Sequence, residues 1–356
     1  MMGIREQKMA ELKKYRPELT RQQDFERFWL MAAEEIFRSD GLPSWRIEPE
    51  EREIAEEFQV SFNLELADFA YPLKQVKVHQ ATLEAADGTM LHGWYLYPAG
   101  AGEQSKVPGL VRFHGYSSNK GKICELLLWA LQGYAVLAMD VRGQCGATPD
   151  GRVYSSGSFS GWLTLGLDSP LEYYYRQVYL DSIQSIEALA RRPEVNGEKI
   201  GLFGNSQGGA LAIVSAALLA RFAGKLEGIT AQVAAVSAGI PFLCDIKKAF
   251  LEHTEGPWAE LDWYFRMHDP LHEREEEIMK TLSYFDAMNF APWVKCPALV
   301  SIGLKDTDCP PPTIYALFHH LAGKKELLVY PDYSHESNDN FLDRQIIFLA
   351  QELLST

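Results

Sequence analysis

The sequence predicts an α/β fold, a mostly parallel central sheet with helices on both faces. Three observations carry this expectation. From about residue 109 onward, short apolar runs rich in Val, Leu and Ala alternate with segments of helical spacing, the pattern of a parallel sheet buried on both sides. A strand over 109–113, a helix through Leu126, Leu127 and Leu131, and a strand over 134–140 have the lengths of a right-handed parallel crossover. Residues 199–222 then read as an apolar strand, the turn Gly204-Asn205-Ser206-Gln207-Gly208, and a second apolar run with helical spacing. The chain has 356 residues, 47% hydrophobic and 23% charged, enough apolar area for one large core. One domain over 1–356 is expected, with residues 1–70 as an N-terminal helical extension and 241–293 as a helical insertion near the site.

In order, residues 21–38 carry Phe25, Phe28, Trp29, Ala32 and Ile36 at helical spacing after Thr20, a plausible N-cap, and predict an amphipathic helix. The charged stretch 48–57 reads as a solvated face, being short and interrupted by Arg52. Alternation through Val76, Val78, Leu91, Trp94 and Leu96 about Asp87-Gly88 predicts a β-hairpin over 75–97. Residues 145–170, rich in Gly, Ser, Pro and aromatics, read as a long irregular loop covering a site. A helix is expected over 173–192 and a buried strand over 230–236. After the insertion, the pattern predicts a strand at 298–303, a helix at 311–321, a strand at 326–330 and a closing helix at 339–354.

A net charge of −14, with no basic cluster interleaved with aromatics, argues against a nucleic-acid partner. The five cysteines form no C-x-x-C pair and are odd in number, so they read as thiols of a reducing compartment. Residues 1–16 lack the apolar core of a signal peptide, and no apolar run is long enough to span a bilayer. A soluble cytoplasmic protein with no membrane partner is the expectation.

The turn at Ser206 suggests chemistry. A sharp strand-to-helix turn holds a serine at a strand tip in a geometry that flanking glycines permit, here Gly204 and Gly208. A serine hydroxyl needs a histidine to take its proton and an acid to orient that histidine. The order Ser, acid, His is the one expected on an α/β-hydrolase sheet. Two loops that leave consecutive strands supply Asp306 and His335. Asp308 and Asp332 compete for the acid's role; Asp306 is preferred because it follows its strand most directly. The intermediate's oxyanion needs backbone N–H donors, expected at Gln207 and at Tyr116 in the loop His114-Gly115-Tyr116. His114 itself reads as a loop-packing residue. No histidine has a second ligand at metal spacing, so neither metal nor cofactor is expected.

The motifs Arg142-Gly143-Gln144, Gly204-Asn205-Ser206-Gln207-Gly208 and His335-Glu336 together resemble the acetyl xylan esterase and cephalosporin C deacetylase family, carbohydrate esterase family seven. Residues 12–19, Tyr173-Tyr174-Tyr175-Arg176 with Tyr179 and Asp181, and Gly303-Leu304-Lys305-Asp306 with Cys309-Pro310-Pro311 extend the resemblance along nearly the whole chain. It implies an α/β-hydrolase fold and a Ser206, Asp306, His335 triad with oxyanion donors Tyr116 and Gln207. It also implies a doughnut-like hexamer whose inner cavity admits small acetylated substrates. The implied activity is removal of O-acetyl groups from small acetylated sugars and from cephalosporin C. Arg142, Gly143 and Gln144 carry over as loop architecture rather than chemistry. The chain departs from the family at Asn205, Cys145 and Ser117-Ser118-Asn119. The same residues would also serve a carboxylesterase of longer acyl chains, a peptidase of this fold, or a non-catalytic binding protein that kept it.

Overall fold

A computed structural model of the chain describes residues 10–37, 60–157, 161–252 and 255–355. Nine strands form one sheet in the order β1-β2-β3-β5-β4-β6-β7-β8-β9. They are β1 (Glu65–Asp68), β2 (Val76–Glu84), β3 (Met90–Pro98), β4 (Val107–Phe113), β5 (Ala135–Met139), β6 (Val195–Asn205), β7 (Val233–Gly239), β8 (Ala298–Gly303) and β9 (Lys325–Tyr330). From β5 to β9 every neighbour is parallel, whereas β1, β2, β3 and β5 pair antiparallel. The hairpin forms about Asp87-Gly88, with Leu83 opposite Leu91.

Strand β1 was not foreseen. Its four residues, Glu-Leu-Ala-Asp, are mostly exposed on a sheet edge and carry no alternating apolar signal. It falls inside residues 60–70, at the end of the predicted extension, and is held there by pairing with β2.

The parallel strands bury both faces, so alternate residues enter two different cores. In β5, Ala135, Leu137 and Met139 join the larger one, while Val136 and Ala138 join the smaller. The smaller core lies under α2 (Ile123–Ala130), through Leu126 and Trp129, and α10 (Asp339–Leu353), through Leu349 and Leu353. The larger core takes α1 (Phe25–Phe37), α3 (Tyr174–Ala190), α4 (Gln207–Phe222) and α9 (Pro311–His320).

All seventeen residues of α3 are buried, charged ones included. A buried charge persists only when paired or hydrogen-bonded, and each has its partner. Arg176 meets Glu35, Asp181 meets Arg142, and Glu187 accepts from Thr230 and Ala231. The Glu187 contacts explain why β7 begins at Val233 rather than at the predicted residue 230: the backbone N–H groups that would open the strand are bonded to a side chain. Likewise α1 starts at Phe25, not after Thr20. Thr20 exchanges hydrogen bonds with the Asn289 side chain, at 3.0 and 2.9 Å, instead of capping a helix. Trp29 of α1 is fully buried against Tyr179 and donates its indole N–H to Tyr284 O.

The predicted insertion leaves β7 and contains α5 (Ile246–Glu252), α6 (Ala259–His268), α7 (Glu275–Ser283) and α8 (Ala287–Phe290). The stretch 48–57 lies outside the described residues.

Candidate active site

In an open parallel sheet, chemistry collects where strands end at their carboxyl edge. Here β4 delivers His114-Gly115-Tyr116, β5 Arg142-Gly143-Gln144, β6 Ser206, β8 Asp306 and β9 His335 to that one edge.

Ser206 sits between β6 and α4 with φ 58° and ψ −124°, a conformation that costs a non-glycine residue free energy. The surroundings impose it. Ser206 N donates to Gly239 O at 2.9 Å, and Ser206 O accepts from Phe242 N at 3.0 Å. The turn is so tight that a Cβ on Gly204 would lie 2.6 Å from both Gly208 C and Phe113 O, and one on Gly208 would overlap the Phe113 carbonyl.

Ser206 Oγ lies 3.0 Å from His335 Nε2, and His335 Nδ1 lies 2.9 Å from Asp306 Oδ2. A carboxylate only accepts, so the Nδ1 hydrogen points to Asp306 and Nε2 is left to accept the serine hydroxyl. Asp306 is buried, and its other oxygen accepts from Asp308 N at 2.9 Å and Cys309 N at 2.8 Å. Burial opposes charging of His335, but the hydrogen bond and charge of Asp306 outweigh it and raise the imidazole pKa above its ordinary value.

The rival acids lie elsewhere. Asp308 turns its carboxylate against Gly256 and contributes only its backbone N–H to the Asp306 loop. Asp332 pairs with Lys305 at 3.1 Å.

Cys309 was not foreseen beside the site. Its thiol, Asp306 and His335 place donor atoms within 4.8 Å of one another, a set whose types suit zinc. The Asp306 and His335 atoms are already joined to each other, so a metal there would have to break the bond that orients the imidazole. Burial pushes the Cys309 thiol pKa well up, which keeps it an un-ionised thiol.

The loop bearing Tyr116 lies against the serine: a Cβ on Gly115 would stand 3.9 Å from Ser206 Cβ. Gln207 opens α4, where the first N–H groups have no intrahelical acceptor. Two buried amides lock these segments together. Gln144 Nε2 donates to Gln207 Oε1 at 2.8 Å, Gln207 Nε2 returns a bond to Gln144 Oε1 at 3.2 Å, and Ser117 N donates to Gln144 Oε1 at 3.2 Å. Tyr175 adds a phenol hydrogen bond to Gln207 Oε1 at 2.8 Å. His114 accepts from Val141 N through Nε2 and faces Gly115 O through Nδ1, each at 2.8 Å. Burial lowers its pKa, and both ring nitrogens are occupied by backbone. Arg142 is fully buried, bonded to Asp181 through Nε and Nη2 at 2.7 and 2.8 Å and to Asp87 through Nη1 at 2.7 Å. Gly143 has φ 67° and lets the chain turn from that ion pair to Gln144.

Neither the amide pair nor Asp87 was legible as part of this site. Their partners are 63 and 55 residues away in sequence, and no local pattern marks such pairs.

A cleft of about 490 Å³ opens beside Ser206 and His335, on the side of α2 and α10. Its walls set Arg112, Glu125 and Glu336 beside the apolar Leu128, Trp129 and Phe203. Asn205 lines it and packs on Gly239, where an added Cβ would overlap the amide.

Residues 45–353 match the family described as acetyl xylan esterase. An acetyl xylan esterase from Paenibacillus sp. R4 superposes with a TM-score of 0.85 at 38% identity, covering 99% of this chain and 100% of that one. Acetyl xylan esterase 1 from Thermoanaerobacterium sp. JW/SL YS485 gives 0.82 at 30% identity, with 98% of both chains covered. The acetyl esterase Axe7A of Xylanibacter ruminicola is 29% identical over 194 residues, 54% of this chain and 40% of that esterase, so the chain spans under half the length of this relative. The sheet, the elbow and the helices are those of the α/β-hydrolase fold.

Proposed function

The chain belongs to the acetyl xylan esterase family, and from that premise we propose that it removes O-acetyl groups from small acetylated sugars such as xylo-oligosaccharides, through an acyl-enzyme on Ser206. The observation that carries this reading is the relay from Ser206 Oγ to His335 Nε2 at 3.0 Å and from His335 Nδ1 to Asp306 at 2.9 Å.

In the proposed route, Ser206 Oγ attacks the acetyl carbonyl carbon while His335 takes its proton. The tetrahedral oxyanion accepts from the N–H groups of Gln207 and Tyr116. Collapse breaks the ester C–O bond, and His335 returns the proton to the departing sugar oxygen. Water, deprotonated by His335, then attacks acetyl-Ser206, and acetate leaves as the serine is restored. Asp306 keeps the imidazole in one tautomer and stabilises its charged form.

Cephalosporin C, which carries an acetyl ester, is a further proposed substrate. A homo-hexamer, implied by the family resemblance, is also proposed; sedimentation velocity at several concentrations tests it, and a stable monomer overturns it. A cytoplasmic location is proposed on the five unpaired thiols. Among the described residues no helix is long and apolar enough to cross a membrane.

The deciding experiment measures acetate release from acetylated xylo-oligosaccharides and from cephalosporin C, with an aryl ester series of increasing acyl length. Activity confined to acetyl and propionyl esters, and abolished in Ser206→Ala, supports the reading. Retained hydrolysis in Ser206→Ala, or preference for long acyl chains or peptide amides, overturns it.

A further inference from the structure

We propose that Glu260, in the insertion, is a positioning residue that holds the Tyr116 segment at the oxyanion and, with Trp258, braces it against the loop that carries Asp306. This deepens the esterase reading and rests on it.

Two kinds of contact fix the Tyr116 segment. The backbone on either side of it is held by His114 and Gln144. The side chain reaches the opposite way, into the insertion, where Tyr116 OH donates to Glu260 Oε1 at 2.7 Å and accepts from Trp162 N at 2.8 Å. The other Glu260 oxygen accepts from Leu163 N at 2.9 Å. One carboxylate therefore joins α6 to the Tyr116 loop and to the long loop after β5.

This carboxylate is costly. It is half-buried, and burial raises its pKa against the hydrogen bonds from Tyr116, Leu163 and Trp162 that favour its charged form. A neutral side chain of similar shape would avoid the desolvation of a carboxylate that accepts from a phenol and peptide N–H groups. Such an expense is expected where geometry matters more than stability.

The same turn of chain touches the other half of the machinery. Trp258, two residues before Glu260 and almost fully buried, donates its indole N–H to Asp308 O at 2.8 Å. Gly256 packs on the Asp308 carboxylate. Asp308 N and Cys309 N are the donors that hold Asp306. Between them the ring of Phe242, 4.8 Å from Trp258 and 6.0 Å from Tyr116, fills the space. Residues 256–260 thus span from the acid loop to the oxyanion loop, and a shift of this turn moves both.

The test uses the full chain with p-nitrophenyl acetate as substrate and phenylboronic acid as a probe that bonds to Ser206. The variants are Glu260→Ala, Glu260→Gln, Tyr116→Phe and the double variant Tyr116→Phe/Glu260→Ala, with Ser206→Ala as the inactive reference. Removing one oxyanion donor outright costs about 100- to 1,000-fold in kcat, so displacing one through its side chain should cost about 10- to 100-fold. KM should stay within about threefold, because the loss falls on the transition state. Boronate affinity should fall with kcat. Glu260→Gln should recover part of the rate, since its amide oxygen still accepts from Tyr116. The double variant should be no slower than the slower single one, because both remove the same hydrogen bond.

Tyr116→Phe deletes a single oxygen, so it keeps the test valid if Glu260→Ala folds poorly. Wild-type kcat in Tyr116→Phe, multiplicative losses in the double variant, or a lowered thermal midpoint with unchanged kcat per folded molecule would each overturn the proposal while leaving the esterase reading intact. If the wild-type protein hydrolyses no acetate ester and phenylboronic acid does not bind it, the esterase reading falls and this proposal with it.

Discussion

Asp306→Asn is the substitution whose outcome the geometry specifies most fully. Asp306 Oδ1 accepts from two backbone N–H groups, at 2.9 and 2.8 Å, and Oδ2 faces His335 Nδ1 at 2.9 Å. In the asparagine variant the amide oxygen must take the first position, since an NH2 group there would face two donors. The NH2 group is then forced toward His335 Nδ1, which must become an acceptor. The imidazole hydrogen moves to Nε2 and points at Ser206 Oγ, so the base that should receive the serine proton already carries one. Loss of a triad acid in this way costs about 10⁴ in kcat, or about 5.5 kcal/mol of transition-state stabilisation. Asp308→Asn is the matched control: its side chain faces Gly256, its backbone N–H is untouched, and kcat should stay within about threefold of wild type. The assay is steady-state hydrolysis of p-nitrophenyl acetate, with thermal melts to show that both variants fold. A folded Asp306→Asn within tenfold of wild type, or equal losses in both variants, would refute the assignment of the acid.

Other outcomes follow from the same geometry. His335 must be neutral to act as base, and its pKa is raised above 6.5, so kcat/KM should fall on acidification with a midpoint above that value. A midpoint at or below 6.5 in a pH–rate profile would contradict the Asp306 contact. Gly208→Ala places a methyl against the Phe113 carbonyl, which is fixed in the sheet, and should cost about 3 kcal/mol or more. An unchanged thermal midpoint would show that the elbow is looser than the structure has it. Arg142→Ala leaves Asp181 buried without its cation and should destabilise the fold by about 3–5 kcal/mol in denaturant titration. A companion Asp181→Ala should relieve part of that loss, and strict additivity of the two would count against the ion pair.

Most of the sheet was legible because its signal is local. Runs such as residues 135–139 and 298–303 are buried on both faces, so their positions are apolar apart from Ser301, whose hydroxyl accepts from Ile240 N, and β5 and β8 fall where the pattern puts them. The helices that cover them show in the spacing of Leu126 and Leu127, or of Phe25 and Trp29. Where side chains from distant segments bind the backbone, the local reading shifted. Glu187 delayed β7, and Asn289 drew Thr20 away from a capping role. Strand β1 escaped because an exposed edge strand needs no apolar alternation, only an unpaired neighbour.

The sequence by itself determined the alternation of strand and helix, the elbow at Ser206, and the order in which Asp306 and His335 follow it. These are properties of short stretches, set by backbone sterics and by which residues avoid water. Only the tertiary structure shows that the Asp306 carboxylate faces His335 while that of Asp308 faces Gly256, because the two differ by which way a carboxylate points rather than by sequence context. It alone revealed the Gln144–Gln207 amide pair and the span from Trp258 to Glu260 that joins the two halves of the site. Hydrogen bonds of this kind link residues tens to more than a hundred positions apart. Their geometry exists only once the sheet has brought the strand ends to one edge, and no periodicity along the chain encodes it.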